Sequence, residues 1–241
     1  MHNSCICLIC NIPNVIYLDF LKTFTNYDII VIIDDNSKNY YTESDFFEKN
    51  YPTFVFVHLN NIECMEKGFQ MSNLALNKIV SGWDKAICFF SFYPKEYDYI
   101  WYIEDDIFFY NEEIFLKIDR KYPDSDLLVK QIDEQDDEKW LWEAVNINLP
   151  EPHYNGLVCA CRVSKYLLSH IYNYVEQNNQ LFFIEMLFMT IAKFYNLKCD
   201  CPAEFVPIMY RHNWSIDNIN RTQIFHPIKD LNLQKELKEQ L

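Results

Sequence analysis

Apolar residues follow two rhythms along this chain. In SCICLICNI (4–12), YDIIVIIDDNS (27–37), TFVFVHL (53–59) and YIWYI (99–103) they occupy successive positions. Such runs suit strands buried on both faces, as in a parallel sheet. SDLLVKQ (125–131) and GLVCACRVS (156–164) read as further strands. Between these runs the spacing turns helical. Phe69, Leu76, Val80, Trp83, Ile87 and Phe90 recur at gaps of three, four and seven. This predicts a helix from Phe69 to Phe90, broken at Gly82, with Ser81 or Asp84 capping the turn that follows. YLDFLKTF (17–24) reads as helix or loop, and EEIFLKIDRKY (112–122), KYLLSHIYNYVEQ (165–177) and QLFFIEMLFMTIAKFYN (180–196) as helices. EFVPIMYRHNWS (204–215) reads as a late strand or extended segment, and Asp230 is placed to cap a polar terminal helix over 230–241. Residues 132–156 are acidic, aromatic and proline-bearing, a long irregular excursion of the kind that is often functional.

Strands alternating with helices, then a more mixed second half, predict a single α/β domain over 1–241 around a mixed, mostly parallel sheet. Ligands of such sheets sit beyond the carboxyl ends of the strands, where strand order reverses. Two acidic clusters fall at predicted strand ends: Asp34-Asp35 and Glu104-Asp105-Asp106. They are expected to face one crevice.

Composition narrows the chemistry. With 35 acidic against 21 basic side chains the net charge is −14, which opposes attraction to nucleic acid or an anionic bilayer. Three glycines among 241 residues leave no Gly-rich phosphate loop, so phosphate must be held by side chains and a metal. The nine cysteines include three C-x-C pairs, which read as buried free thiols in a reducing compartment more readily than as a zinc site. No signal-like segment and no apolar run of about 18 residues is present, so a cytoplasmic protein without a membrane span is expected.

In an extended segment Glu104 and Asp106 point to one side and Asp105 to the other, so the first and third can share a divalent ion. Carboxylates suit Mg²⁺ or Mn²⁺, which in turn favour diphosphate oxygens. Glu185 is the one charge between Gln180 and Lys193, on a helix face with Leu181, Phe188 and Ala192. It reads either as a general base facing a cavity or as one half of an ion pair with Arg162 or Arg211.

The order of these features, and above all SGWDKAICFF (81–90) followed by YDYIWYIEDDIFF (97–109), resembles the GT-A glycosyltransferases with a DxD motif. Glu stands here where the motif usually opens with Asp. The resemblance implies a single-domain, Rossmann-like GT-A fold with a donor-binding half near 1–110 and an acceptor-side half near 111–229. It implies transfer of a sugar from a nucleoside diphosphate sugar, a UDP-sugar favoured, to a glycan or other hydroxyl acceptor. Carried over, Asp106 is the direct ligand of Mn²⁺ or Mg²⁺, and Glu104 contacts metal-bound water or the donor ribose, with Asp105 also on the donor side. Asp34, Asp35 and Asn36 would meet base and ribose. His226 in FHPIKD becomes the third metal ligand, in preference to His212 in YRHNW, and Lys229 reaches the diphosphate. The family role for Glu185 is the base of an inverting transfer. Trp140, Trp142, Tyr154 and Trp214 offer a stacking platform for an acceptor sugar, or pack as core and lid. Lys67 is left as a solvated helix-start lysine. Rival readings are a metal-dependent phosphohydrolase or nuclease, and a catalytically inactive carbohydrate-binding protein of the same fold.

Overall fold

A computed structural model describes residues 3–37, 47, 49–73, 79–93, 97–131 and 145–239. The apolar runs form β1 (Ser4–Cys10), β2 (Asp28–Ile33), β3 (Phe54–Val57), β4 (Tyr99–Glu104), β5 (Leu127–Gln131) and β6 (Gly156–Ser164), joined by a short β7 (Cys199–Asp200) that hydrophobicity did not predict. They make one sheet in the order β3-β2-β1-β4-β6-β5-β7. β1, β2, β3 and β4 run parallel to their neighbours in that group, whereas β6 is antiparallel to both β4 and β5. Strand order reverses at β1, and Ile9 is in register with Ile32 on one side and Glu104 on the other. Both acidic clusters therefore emerge beside the carboxyl end of β1.

Side-chain alternation along β1 divides the core. Cys5, Cys7 and Ile9 pack with α3 (Gly82–Phe92), α5 (Lys165–Asn178) and α6 (Ile184–Phe194), while Ile6, Leu8 and Cys10 pack with α1 (Val15–Leu21) and α4 (Glu113–Lys121). A short α2 (Asn61–Glu66) follows β3, and α7 (Leu231–Glu239) closes the chain. As expected, Asp230 caps α7, its Oδ1 accepting from the amides of Asn232 at 2.9 Å and Leu233 at 3.3 Å. All nine cysteines are free, and seven are buried. No helix among the described residues is long and apolar enough to cross a membrane.

Three expectations need correction. The helix predicted over 69–90 begins only at Gly82. Ser72 is fully buried and gives both its amide and its hydroxyl to Asp84, at 2.9 and 2.6 Å, so residues 69–73 pack as a loop against the helix start, while Leu76 lies outside the described residues. The helix predicted over 180–196 begins at Ile184, because the amides of Leu181 and Ile184 bond to the carbonyls of Gln70 and Ser72 instead. The segment 204–215 forms no regular strand: it holds a 3₁₀ turn at Ala203–Phe205 and meets residues 224–226 through the bridge of Ile208 with His226 and scattered hydrogen bonds, among them Ile224 N to Glu204 O at 2.9 Å. Trp140 and Trp142 lie outside the described residues.

Gly82 opens α3 in a space with no room for a side chain: a Cβ there would stand 2.7 Å from Ile9 Cγ2 and 3.4 Å from Asp34 Cβ. Ser81 and Asp84 form a reciprocal capping box around it. Gly82→Ala is expected to cost about 1–3 kcal/mol through forced displacement of β1's end. Urea unfolding checks this, and a parent-like midpoint would contradict the close packing.

Candidate active site

The carboxylate triplet sits in a turn, not in the extended strand that alternation alone suggests. β4 ends at Glu104, and the amide of Ile107 returns to the Glu104 carbonyl at 3.2 Å. Each of the next three carbonyls is then held by a different element. Asp105 O accepts from Gln234 Nε2 at 3.3 Å, Asp106 O from the amide of Ile228 at 2.8 Å, and Ile107 O from Tyr17 Oη at 2.9 Å. Phe108 and Phe225 exchange peptide hydrogen bonds, both 2.9 Å. The late segment 225–228 is thus laid directly along the motif.

This pairing carries His226 to Asp106. Met209 O lies 2.7 Å from His226 Nδ1, so Nδ1 bears the proton and Nε2 is turned to the carboxylate. Nε2 stands 3.3 Å from Asp106 Oδ1, close enough to pair in charge, and among the described residues that buried oxygen has no well-formed hydrogen bond. Burial opposes a charge on the imidazole, but Asp106 and then Glu104 outweigh it and raise the His226 pKa. His212, the rival ligand, packs instead against Trp214, with ring centres 4.2 Å apart and planes tilted by 56°.

Glu104 accepts from Trp83 Nε1 at 2.8 Å, and its pKa is raised by burial and by Asp106. Burial, Asp106 and Glu104 push Asp105 up to about 6. Glu185, in the first turn of α6, is 8% exposed, and its buried Oε2 has no hydrogen-bond partner among the described residues. The ion pair considered for it with Arg162 does not form, since Arg162 Nη1 binds Asp119 Oδ1 at 2.6 Å. Burial and the Glu104 charge push Glu185 up to about 8. One ligand atom each from Glu104, Cys159 and His226 lie within 4.8 Å of one another.

On the far side of β1, Asp34 pairs with fully buried Lys85, whose Nζ lies 3.0 Å from its Oδ1 and 2.9 Å from its carbonyl. Asp35 Oδ1 accepts from the Ser37 amide, and Asn36 donates to the Asp34 carbonyl and to Asn61. α3 joins the two clusters: Gly82 packs on Asp34, Trp83 holds Glu104, and Lys85 neutralises Asp34. Lys229 is exposed, near enough to Asp105 to oppose its rise, and lines a cleft of about 510 Å³ with Arg211, Trp214 and Leu233.

Sequence reasoning missed Trp83, Lys85 and Cys159. A lysine inside an otherwise apolar helix was a legible signal for Lys85; nothing local marked Cys159. The charges at the turn do not balance: among the described residues Glu104 and Asp106 share one histidine, and Glu185 is close enough to Glu104 for that charge to help hold its proton. The orphaned Asp106 Oδ1 and the imidazole Nε2 that stands 3.3 Å from it, beside Glu104, fit a divalent cation held by Glu104, Asp106 and His226.

No protein-family model matches the chain, and no curated protein matches it in sequence. Its fold is shared with solved structures. The galactosyltransferase LgtC in complex with donor and acceptor sugar analogues superposes with a TM-score of 0.53, at 12% identity over 99% of this chain and 96% of that one. An active-site mutant of LgtC gives 0.52 at the same identity and coverage. The single-domain α/β architecture expected from the sequence, a mixed and mostly parallel sheet flanked by helices as in the GT-A fold, is the one observed.

The folded-state pKa of Glu185 lies above the ordinary 4.5, so the unfolded chain ionises this group first as pH rises. Between those two values the folded state retains a proton that the unfolded state has lost, and stability falls with pH. Glu185→Gln removes that loss. In metal-free protein its melting-temperature advantage over the parent is expected near zero at pH 4 and to grow up to about pH 8. A difference independent of pH would contradict the buried neutral acid.

Proposed function

We propose that this chain is a glycosyltransferase, moving a sugar from a nucleoside diphosphate sugar, a UDP-sugar favoured, to a hydroxyl acceptor with the help of a divalent cation. The observation that carries the reading is the delivery of His226 to Asp106 beside Glu104, at the strand-order reversal of a fold shared with a galactosyltransferase. Glu104, Asp106 and His226 would hold the cation. When bound, Mn²⁺ or Mg²⁺ supplies positive charge against the charge that develops on the leaving diphosphate.

The residues around it divide the remaining work. Residues near 1–110 serve the donor, with Asp34, Asp35 and Asn36 at the nucleoside. Asp34 is fixed in place by Lys85, and Asn36 by Asn61. Lys229, at the mouth of its cleft and close to Asp105, is suited to the diphosphate oxygens. Residues near 111–229 serve the acceptor, with Trp214 offering an aromatic face in that cleft. Glu185 holds its proton at neutral pH in the cation-free site and can donate a hydrogen bond to a sugar hydroxyl. It becomes a base for inverting transfer only where added positive charge beside Glu104 brings its pKa down.

A thermal-shift panel of UDP-, GDP- and dTDP-sugars with and without Mn²⁺ tests this reading. A ligand at 100 times its dissociation constant stabilises by about 2.7 kcal/mol, and one nucleotide is expected to do so only with metal present. Asp106→Ala is expected to abolish that response. Hydrolysis of a phosphomonoester without nucleotide-sugar binding would overturn the reading in favour of a phosphohydrolase. An Asp106→Ala variant that binds as the parent does would remove the cation from it.

A further inference from the structure

The site contains one group that oxygen-ligand chemistry does not explain. Cys159 lies on β6, where the antiparallel register of Ile103 with Ala160 sets it opposite Glu104. Its thiol lies within 4.8 Å of the Glu104 carboxylate. Its sulfur also belongs to the one group of three ligand atoms, with Glu104 and His226, that close to within 4.8 Å among the described residues. Three ligands spread around one ion at roughly 2.0–2.3 Å stand about 3.3–4.0 Å apart, so a triangle with sides no longer than 4.8 Å closes on an ion as its ligands draw inward.

The supporting contacts are those of a built site. Trp83 Nε1 orients the Glu104 carboxylate, and Met209 O fixes the His226 tautomer that leaves Nε2 free to coordinate. Asp106 Oδ1, buried and without a well-formed hydrogen bond among the described residues, stands 3.3 Å from the same nitrogen. Cys161, the C-x-C partner of Cys159, takes no part in the triangle. One thiolate, one imidazole and one or two carboxylates make a borderline-soft donor set. Mg²⁺ takes hard oxygen ligands in a near-octahedral shell, whereas Zn²⁺, Co²⁺ and Fe²⁺ accept mixed sulfur, nitrogen and oxygen.

We propose that Cys159 is a ligand of the divalent ion, and that this site takes a thiophilic ion such as Zn²⁺, Co²⁺ or Fe²⁺ in preference to Mg²⁺. The inference rests on the cation of the proposed transfer and names a ligand for it. As the ion enters, a metal–sulfur bond forms, the S–H bond breaks heterolytically, and the thiol proton leaves to solvent.

The test is a Co²⁺ titration of the metal-free full chain carrying Cys199→Ser and Cys201→Ser, which removes the two least buried thiols. One equivalent is expected to produce a near-ultraviolet thiolate-to-cobalt band. Cys159→Ser in that background is expected to abolish the band and weaken Co²⁺ and Zn²⁺ by at least about tenfold, while Mg²⁺ changes by less than about twofold. X-ray absorption of the Zn²⁺-loaded parent needs no change at position 159, and should show one sulfur at roughly 2.3 Å among nitrogen and oxygen ligands. A zinc shell without sulfur, no band at one equivalent, or a band that survives Cys159→Ser overturns the inference. Sulfur ligation with no response to any nucleotide sugar would uphold it while overturning the transfer; nucleotide-sugar stabilisation around a sulfur-free ion would do the reverse.

Discussion

Three consecutive carbonyls, those of Asp105, Asp106 and Ile107, are taken by Gln234, Ile228 and Tyr17, and on that fixation the rest of the site depends. The three donors come from the terminal helix, the late segment and the first helix, so parts far apart in the chain converge on one turn. A turn whose consecutive carbonyls are each held by a different element has little freedom left, and its carboxylates stand where the backbone puts them. Aromatic contacts seat the terminal helix over the same place: Lys238 Nζ lies 3.7 Å from the centre of the Phe20 ring and 4.7 Å from that of Tyr17. The exchange of hydrogen bonds between Phe108 and Phe225 then leaves His226 one residue from the pairing, facing Asp106.

The electrostatics follow from that geometry. Burying several carboxylates near one another is unfavourable, and the molecule meets the cost differently at its two acidic clusters. Asp34 is answered by a buried lysine. Among the described residues Glu104 and Asp106 share one histidine and Glu185 meets no cation, so Glu104, Glu185 and His226 shift toward holding protons. A cluster that keeps protons in the absence of a ligand is poised to exchange them for a cation.

How much of this was legible depended on whether a residue's partners lie near it in sequence. β1, β2 and β4 were readable because unbroken apolar runs are hard to bury except as strands between two layers. Glu104 and Asp106 stood out as charges at the end of such a run, and His226 through its setting in FHPIKD. The roles of Trp83 and Cys159 were not readable, because each is set by β4's position in the sheet, a property of the tertiary register. The overlong helix reading at 69–90 failed for a related reason. Phe69 and Val80 are buried, but in a loop held by Ser72 and Asp84, and periodicity cannot tell a packed loop from a helix face. The early start given to the helix at 180–196 failed likewise, since the amides of Leu181 and Ile184 are claimed by the loop at 70–72.

The central claim is that Glu104, Asp106 and His226 converge to hold one ion. Anomalous diffraction at the manganese edge, from crystals grown with Mn²⁺ and a UDP-sugar, tests it most directly. The account predicts a single strong peak bonded to His226 Nε2 and to a carboxylate oxygen of Asp106 or Glu104, with the direct contact between His226 and Asp106 opened. No peak at the turn, with that contact intact and manganese bound elsewhere, would contradict it.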